Sequence, residues 1–135
     1  MKITFPFEEG KSSIVGKIAR PVAHIDFFSI RSNVPQPVTL ILDSGADYTL
    51  LPRFLASPLE VDLLRDTRKI HTRGVGGDAR VYFLKKKINI KVGSVISEIH
   101  IGFFNSNSVP PLLGRLDFFD QFRILFENRR TTVSS

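Results

Sequence analysis

Asp43-Ser44-Gly45-Ala46 is the segment of this chain best suited to chemistry. A carboxylate is followed by a hydroxyl, a residue with no side chain and a small residue. The segment comes directly after Val38-Thr39-Leu40-Ile41-Leu42, an apolar run with the composition of a buried strand. A loop of this kind can present Asp43 to a substrate. Asp, Ser and Gly are also ordinary turn residues, so the tetrapeptide alone equally describes a strand-to-turn boundary.

Two further segments stand out. Gly74-Val75-Gly76-Gly77 is flanked on both sides by strand-like sequence and reads as a glycine-rich hairpin tip. Leu112-Leu113-Gly114-Arg115 reads as an apolar strand ending in Gly-Arg. His24, His71 and His100 are isolated, without metal-ligand spacing, and no metal or other cofactor is expected.

The elements that must position these residues are mostly β. Strands are expected over residues 13–18, 22–30, 37–42, 68–73, 79–92, 94–104 and 122–127. Short helical turns are expected at 53–56, 60–64 and 116–121, and turns at 32–36 and 105–108. The chain of 135 residues fits one domain spanning 1–135, with residues 128–135 as a tail that frays.

Composition narrows the function classes. Hydrophobic residues make up 42% and charged residues 24%, as in ordinary globular proteins. There is no cysteine, which excludes a disulfide framework and a thiol nucleophile. No apolar stretch approaches the roughly 20 residues that span a bilayer. Residues 1–9 lack the apolar core of a signal peptide, so no membrane partner and a cytoplasmic location are expected. The net charge is +6, but the basic residues are scattered. Their one run, Lys85-Lys86-Lys87, precedes an alternating segment and reads as a solvated strand face or edge. The twelve Phe residues sit mostly within apolar runs and read as core. No nucleic-acid partner is therefore expected; a basic nucleic-acid-binding β domain would show a salt-dependent affinity.

The three segments, in this order and spacing, resemble the retropepsin-like aspartic peptidases, the family of retroviral proteases and their cellular and bacterial relatives. The resemblance runs from about residue 21 to residue 127. The stretch from Gly114 to Phe122 resembles the small bacterial members more than the retroviral ones. It implies an all-β, closed, barrel-like fold with one or two short helices and one lobe per chain. Peptide hydrolysis by aspartates needs two carboxylates sharing one proton. Only Asp43 carries the Asp-Ser/Thr-Gly motif; Asp26, Asp47, Asp62, Asp66, Asp78, Asp117 and Asp120 lack it. A homodimer, with Asp43 meeting its own copy across a two-fold axis, is the economical solution.

The resemblance also assigns roles. Asp43, Ser44 and Gly45 form the catalytic loop, with the Ser44 hydroxyl crossing to the partner loop. Ala46, Asp47, Tyr48, Pro110 and Leu112 line an apolar-preferring peptide cleft, and Gly74, Val75, Gly76 and Gly77 form a flap over it. Asp47 and Arg115 form a partly buried ion pair that supports the loop. Departures are a longer stretch between the Asp43 loop and the flap, about 20 residues ahead of the resemblance, and an extended C-terminus. They argue against the interleaved terminal strands of retroviral dimers. The expected activity is that of an aspartic endopeptidase acting on extended peptides. The alternative is a catalytically silent domain of the same fold, used for dimerisation or peptide binding.

Overall fold

The computed structural model describes the chain apart from residues 75 and 76, and the surroundings of side chains outside 72–79. In chain order the strands are β1 (Lys2–Pro6), β2 (Glu8–Ser12), β3 (Gly16–Arg20), β4 (Val22–Phe28), β5 (Pro35–Leu42), β6 (Thr49–Leu51) and β7 (Thr67–Gly74). They continue with β8 (Gly77–Leu84), β9 (Ile88–Val92), β10 (Val95–Ile99), β11 (Ile101–Phe104), β12 (Leu112–Leu113), β13 (Arg123–Glu127) and β14 (Arg130–Ser134). A single 3-10 turn, Arg53–Leu55, and one helical turn, α1 (Phe118–Gln121), are the described helical pieces.

Period-2 patterning explains the main sheet. In β4, Ala23, Ile25 and Phe27 point inward; in β5, Val38, Leu40 and Leu42 do; in β9, Ile88, Ile90 and Val92 do. The β4–β5 hairpin sets Ile25 opposite Val38 and Ala23 opposite Leu40, so its two apolar faces coincide. These side chains meet Phe103, Phe118, Leu51, Leu59 and Leu113 in one core cluster. The sheet has the order β10-β9-β4-β5-β12-β6-β11-β8-β7. The all-β class holds. Among the described residues no pairing joins β10 to β7.

Near its middle the sheet departs from simple hairpins. β12 is only two residues long, yet it lies between β5, to which it runs parallel, and β6, to which it runs antiparallel. β6 in turn runs parallel to β11. Leu112 and Leu113 are thereby inserted beside the strand that leads to Asp43.

The termini differ from expectation. Residues 128–135, expected to fray, form a turn and β14, the middle strand of a three-stranded sheet ordered β1-β14-β13. The β13–β14 turn uses Asn128 at φ 51° and Arg129 at φ 57°, the pair of left-handed residues that a tight hairpin requires. Val133 and Thr131 are fully buried, so pairing on both sides and a core contact hold the segment. The first 20 residues contribute β1 to this sheet and a separate β2–β3 hairpin.

Three internal expectations also shift. Residues 79–92 are not one strand: Lys85, Lys86 and Lys87 are an exposed turn between β8 and β9, not a strand face. Residues 94–104 break at His100 into β10 and β11. Residues 60–64 form turns instead of a helix, because side-chain carboxylates capture their backbone. Asp66 accepts from the N–H of Asp62 at 2.7 Å, and Asp62 accepts from that of Leu64 at 3.0 Å.

Candidate active site

β5 carries the chain to Asp43, and the neighbouring strands fix where its backbone goes. The Asp43 N–H donates to the carbonyl of Leu113 at 3.0 Å, one step after Ile41 donates to Pro111 at 2.9 Å. On the other side Leu42 donates to Pro21 at 3.0 Å. Beyond Asp43 the chain turns at once: Ala46 donates to the Asp43 carbonyl at 3.1 Å. Within that turn the Gly45 N–H donates to Asp43 Oδ1 at 2.9 Å, which orients the carboxylate. A Cβ on Gly45 would stand 3.2 Å from the same oxygen, so the glycine keeps that approach open. Asp43 is partly buried, whereas Ser44 and Gly45 are exposed. The carboxylate sits at the rim of the body, on a loop facing outward.

The loop is clamped from behind by the segment after β12. Arg115 donates its backbone N–H to the Ala46 carbonyl at 3.0 Å, and Leu116 donates to that of Asp47 at 2.8 Å. Gly114 packs directly on the Tyr48 backbone, and its N–H donates to the buried Thr49 hydroxyl at 3.2 Å. Thr49 was not among the expected site residues. Its signal was the short Thr49-Leu50-Leu51 run before Pro52, a buried strand too short to show a period.

The Arg115 guanidinium does pair with the Asp47 carboxylate. The expected partial burial is not found: the two side chains are 54% and 76% exposed in this chain. Water screens such a pair, and the loop is held mainly by the backbone bonds beside it.

Tyr48 is partly buried and stands edge-on to Phe83, with ring centroids 5.1 Å apart; Phe83 stacks on His100 at 5.9 Å. Burial, and then the nearby Asp47 charge, push the Tyr48 phenol above its usual pKa, so it stays neutral. His100 is anchored by Asp117, whose Oδ2 accepts from its backbone N–H and bonds its ring Nδ1, both at 2.7 Å. Burial alone would raise the Asp117 pKa. The two His100 bonds, with the charges of His100 and Lys87, outweigh burial and hold it below the usual carboxylate range. Asp117 was considered at the sequence level only as an aspartate lacking the motif. Its backbone has a positive φ of 67° and makes a tight turn, across which Phe118 donates to the Leu116 carbonyl at 2.8 Å.

Gly74 and Gly77 pair with each other at the end of the β7–β8 hairpin. Val75 and Gly76 lie outside the described residues. Leu112 is partly buried between Ile41 and Leu50, and Pro110 is exposed. Among the described residues no group of three or more His, Asp or Glu side chains is arranged to hold a metal ion. No helix among them is long and apolar enough to cross a membrane.

No family model matches the chain. It is 29% identical over 123 residues to a Lon protease of Amoebophilus asiaticus (strain 5a2). That match covers 81% of this chain but only 15% of that protein. Among solved structures it is similar to a retropepsin-like aspartic protease from Rickettsia conorii, at 16% identity and a TM-score of 0.66 over 98% of each chain. The fold is therefore retropepsin-like.

Proposed function

We propose that this retropepsin-like chain is one half of an aspartic endopeptidase, completed by a second copy of itself. The observation that carries the reading is the Asp43 loop. A carboxylate oriented by Gly45 lies on an outward-facing turn, and the chain holds one such motif. Two copies related by a two-fold axis bring two Asp43 carboxylates together, where they share one proton.

The chemistry then follows. The ionised carboxylate takes a proton from a water, and the water oxygen attacks the carbonyl carbon of the scissile peptide. The protonated carboxylate donates to the carbonyl oxygen as negative charge develops there. Collapse of the tetrahedral intermediate breaks the C–N bond, and the departing nitrogen leaves with a proton from the dyad. Ser44 reaches the partner loop and keeps the carboxylates coplanar. Ala46, Asp47, Tyr48, Pro110 and Leu112 line the cleft for an extended peptide with apolar side chains. The β7–β8 hairpin serves as the flap over it. Within the chain, β14 pairs with β1 on one side and with β13 on the other.

The test is to incubate the purified protein with a peptide library at mildly acidic pH, beside an Asp43→Asn control. Cleavage by the parent and none by the control supports the dyad. Equal cleavage by both overturns it. A dimer that binds peptides without cleaving them would instead establish the silent, peptide-binding reading.

A further inference from the structure

The fold gathers basic residues that are far apart in sequence. Lys85, Lys86 and Lys87, in the β8–β9 turn, border a groove of about 430 Å³ together with Arg31 and Arg65. Two of these charges are already matched. Arg31 donates two hydrogen bonds to Asp66, at 2.9 and 3.0 Å, and Lys87 lies 3.5 Å from Asp117. Lys85 directs its ammonium to the Arg65 carbonyl at 3.0 Å, which ties the two basic turns together. Arg65 and Lys86 are exposed and form no ion pair among the described residues. The groove thus holds a net positive charge that the chain does not neutralise. Its other lining is mixed: Phe28 and Ile30 are partly exposed, Leu84 and Ile88 are buried below them, and Ser29, Asn33, Asp66 and Asn89 add polar groups between these apolar side chains.

We propose that this groove binds an acidic peptide segment that also carries apolar side chains. A cationic rim suits carboxylates, and an apolar floor suits aliphatic side chains between them. The volume falls within the range of about 300–1,000 Å³ typical of ligand clefts. A free inorganic anion would leave the floor uncovered. A nucleic acid would call for a longer basic track and several exposed aromatic faces, whereas among the described residues Phe28 is the one aromatic side chain lining this groove. The groove lies at the far end of the β4–β5 hairpin from Asp43, about 26 Å away by strand rise. A peptide can therefore occupy it without blocking the Asp43 loop. Its use as a docking point for a remote segment of a protein substrate rests on the peptidase reading; the binding itself does not.

The probe is a short dye-labelled peptide of alternating Glu and Leu, followed by fluorescence anisotropy. The expected result is saturable binding that weakens with added salt, and weakens at least about tenfold when Arg65→Glu and Lys86→Glu are combined. An Arg65→Gln, Lys86→Gln variant gives the same direction should the reversed pair fail to fold. A matching Lys-Leu peptide should not bind. Unchanged affinity in the folded double variant overturns the proposal. So does displacement of the peptide by a shorter oligothymidylate at lower concentration. Asp43→Asn should bind the probe as the parent does; loss there would put the peptide in the cleft and also overturn it. Binding without any cleavage activity in the parent would sink the peptidase reading and leave the groove assignment standing.

Discussion

Gly114 and Tyr48 touch backbone to backbone: a Cβ built on Gly114 would lie 2.4 Å from both the carbonyl carbon and the carbonyl oxygen of Tyr48. This contact lets the segment after β12 pass behind the Asp43 loop and donate to its carbonyls. Neither side can move as a side chain would, because both are main chain.

Gly114→Ala should therefore cost about 3 kcal/mol or more, at the upper end of what overpacking costs, since the strain must be taken up by the loop. Urea unfolding measures the stability, and peptide cleavage should fall further than stability does. A variant as stable as the parent would mean that the close approach is not maintained in solution.

Asp43→Asn should leave the fold intact and abolish hydrolysis. The volume is kept, and Gly45 can still donate to the side-chain oxygen. Circular dichroism checks the fold and single-turnover assays the chemistry. Full activity in this variant would place the reaction elsewhere.

Specific activity should fall on dilution of the parent protein, because each chain carries one Asp43 motif. Analytical ultracentrifugation over the same concentrations should show dimers dissociating in parallel. Constant specific activity far below the measured dissociation constant would rule out a site shared between two chains.

Arg115→Ala should change the stability of the isolated chain by less than about 1 kcal/mol, the range of exposed ion pairs. A double-mutant cycle with Asp47→Ala measures the coupling directly. A coupling of about 3–5 kcal/mol, typical of a buried pair, would show that a partner desolvates these groups on assembly.

Asp117→Asn should cost about 1.5–3 kcal/mol at neutral pH, the range for hydrogen bonds to a charged group. The folded carboxyl titrates below its unfolded counterpart, whose own value is about 3.9. Its contribution is fully present above the unfolded value and is lost as pH falls through the folded one. The gap between parent and variant should therefore narrow as pH falls from neutral into the acid range below the unfolded value. A gap of constant size down to acid would show that the Asp117 charge contributes nothing.

By itself the amino-acid sequence determined the strand that ends at Asp43, the turn chemistry after it, the β7–β8 hairpin and the period-2 faces of β4, β5 and β9. Each of these depends on neighbours in sequence: alternation, a glycine, a carboxylate at a strand end. Tertiary structure alone decided the rest. β12 is too short to carry a period, and it is a strand only because β5 and β6 supply partners on both sides. β14 is polar in composition and lies between β1 and β13 because its turn is left-handed and its Val133 meets the core. The Asp47–Arg115 pair was foreseen as a contact, but its exposure depends on what covers it, which no residue spacing encodes. Arg31, Arg65 and the three lysines form one basic groove only because separate turns converge in space; along the chain their charges are far apart.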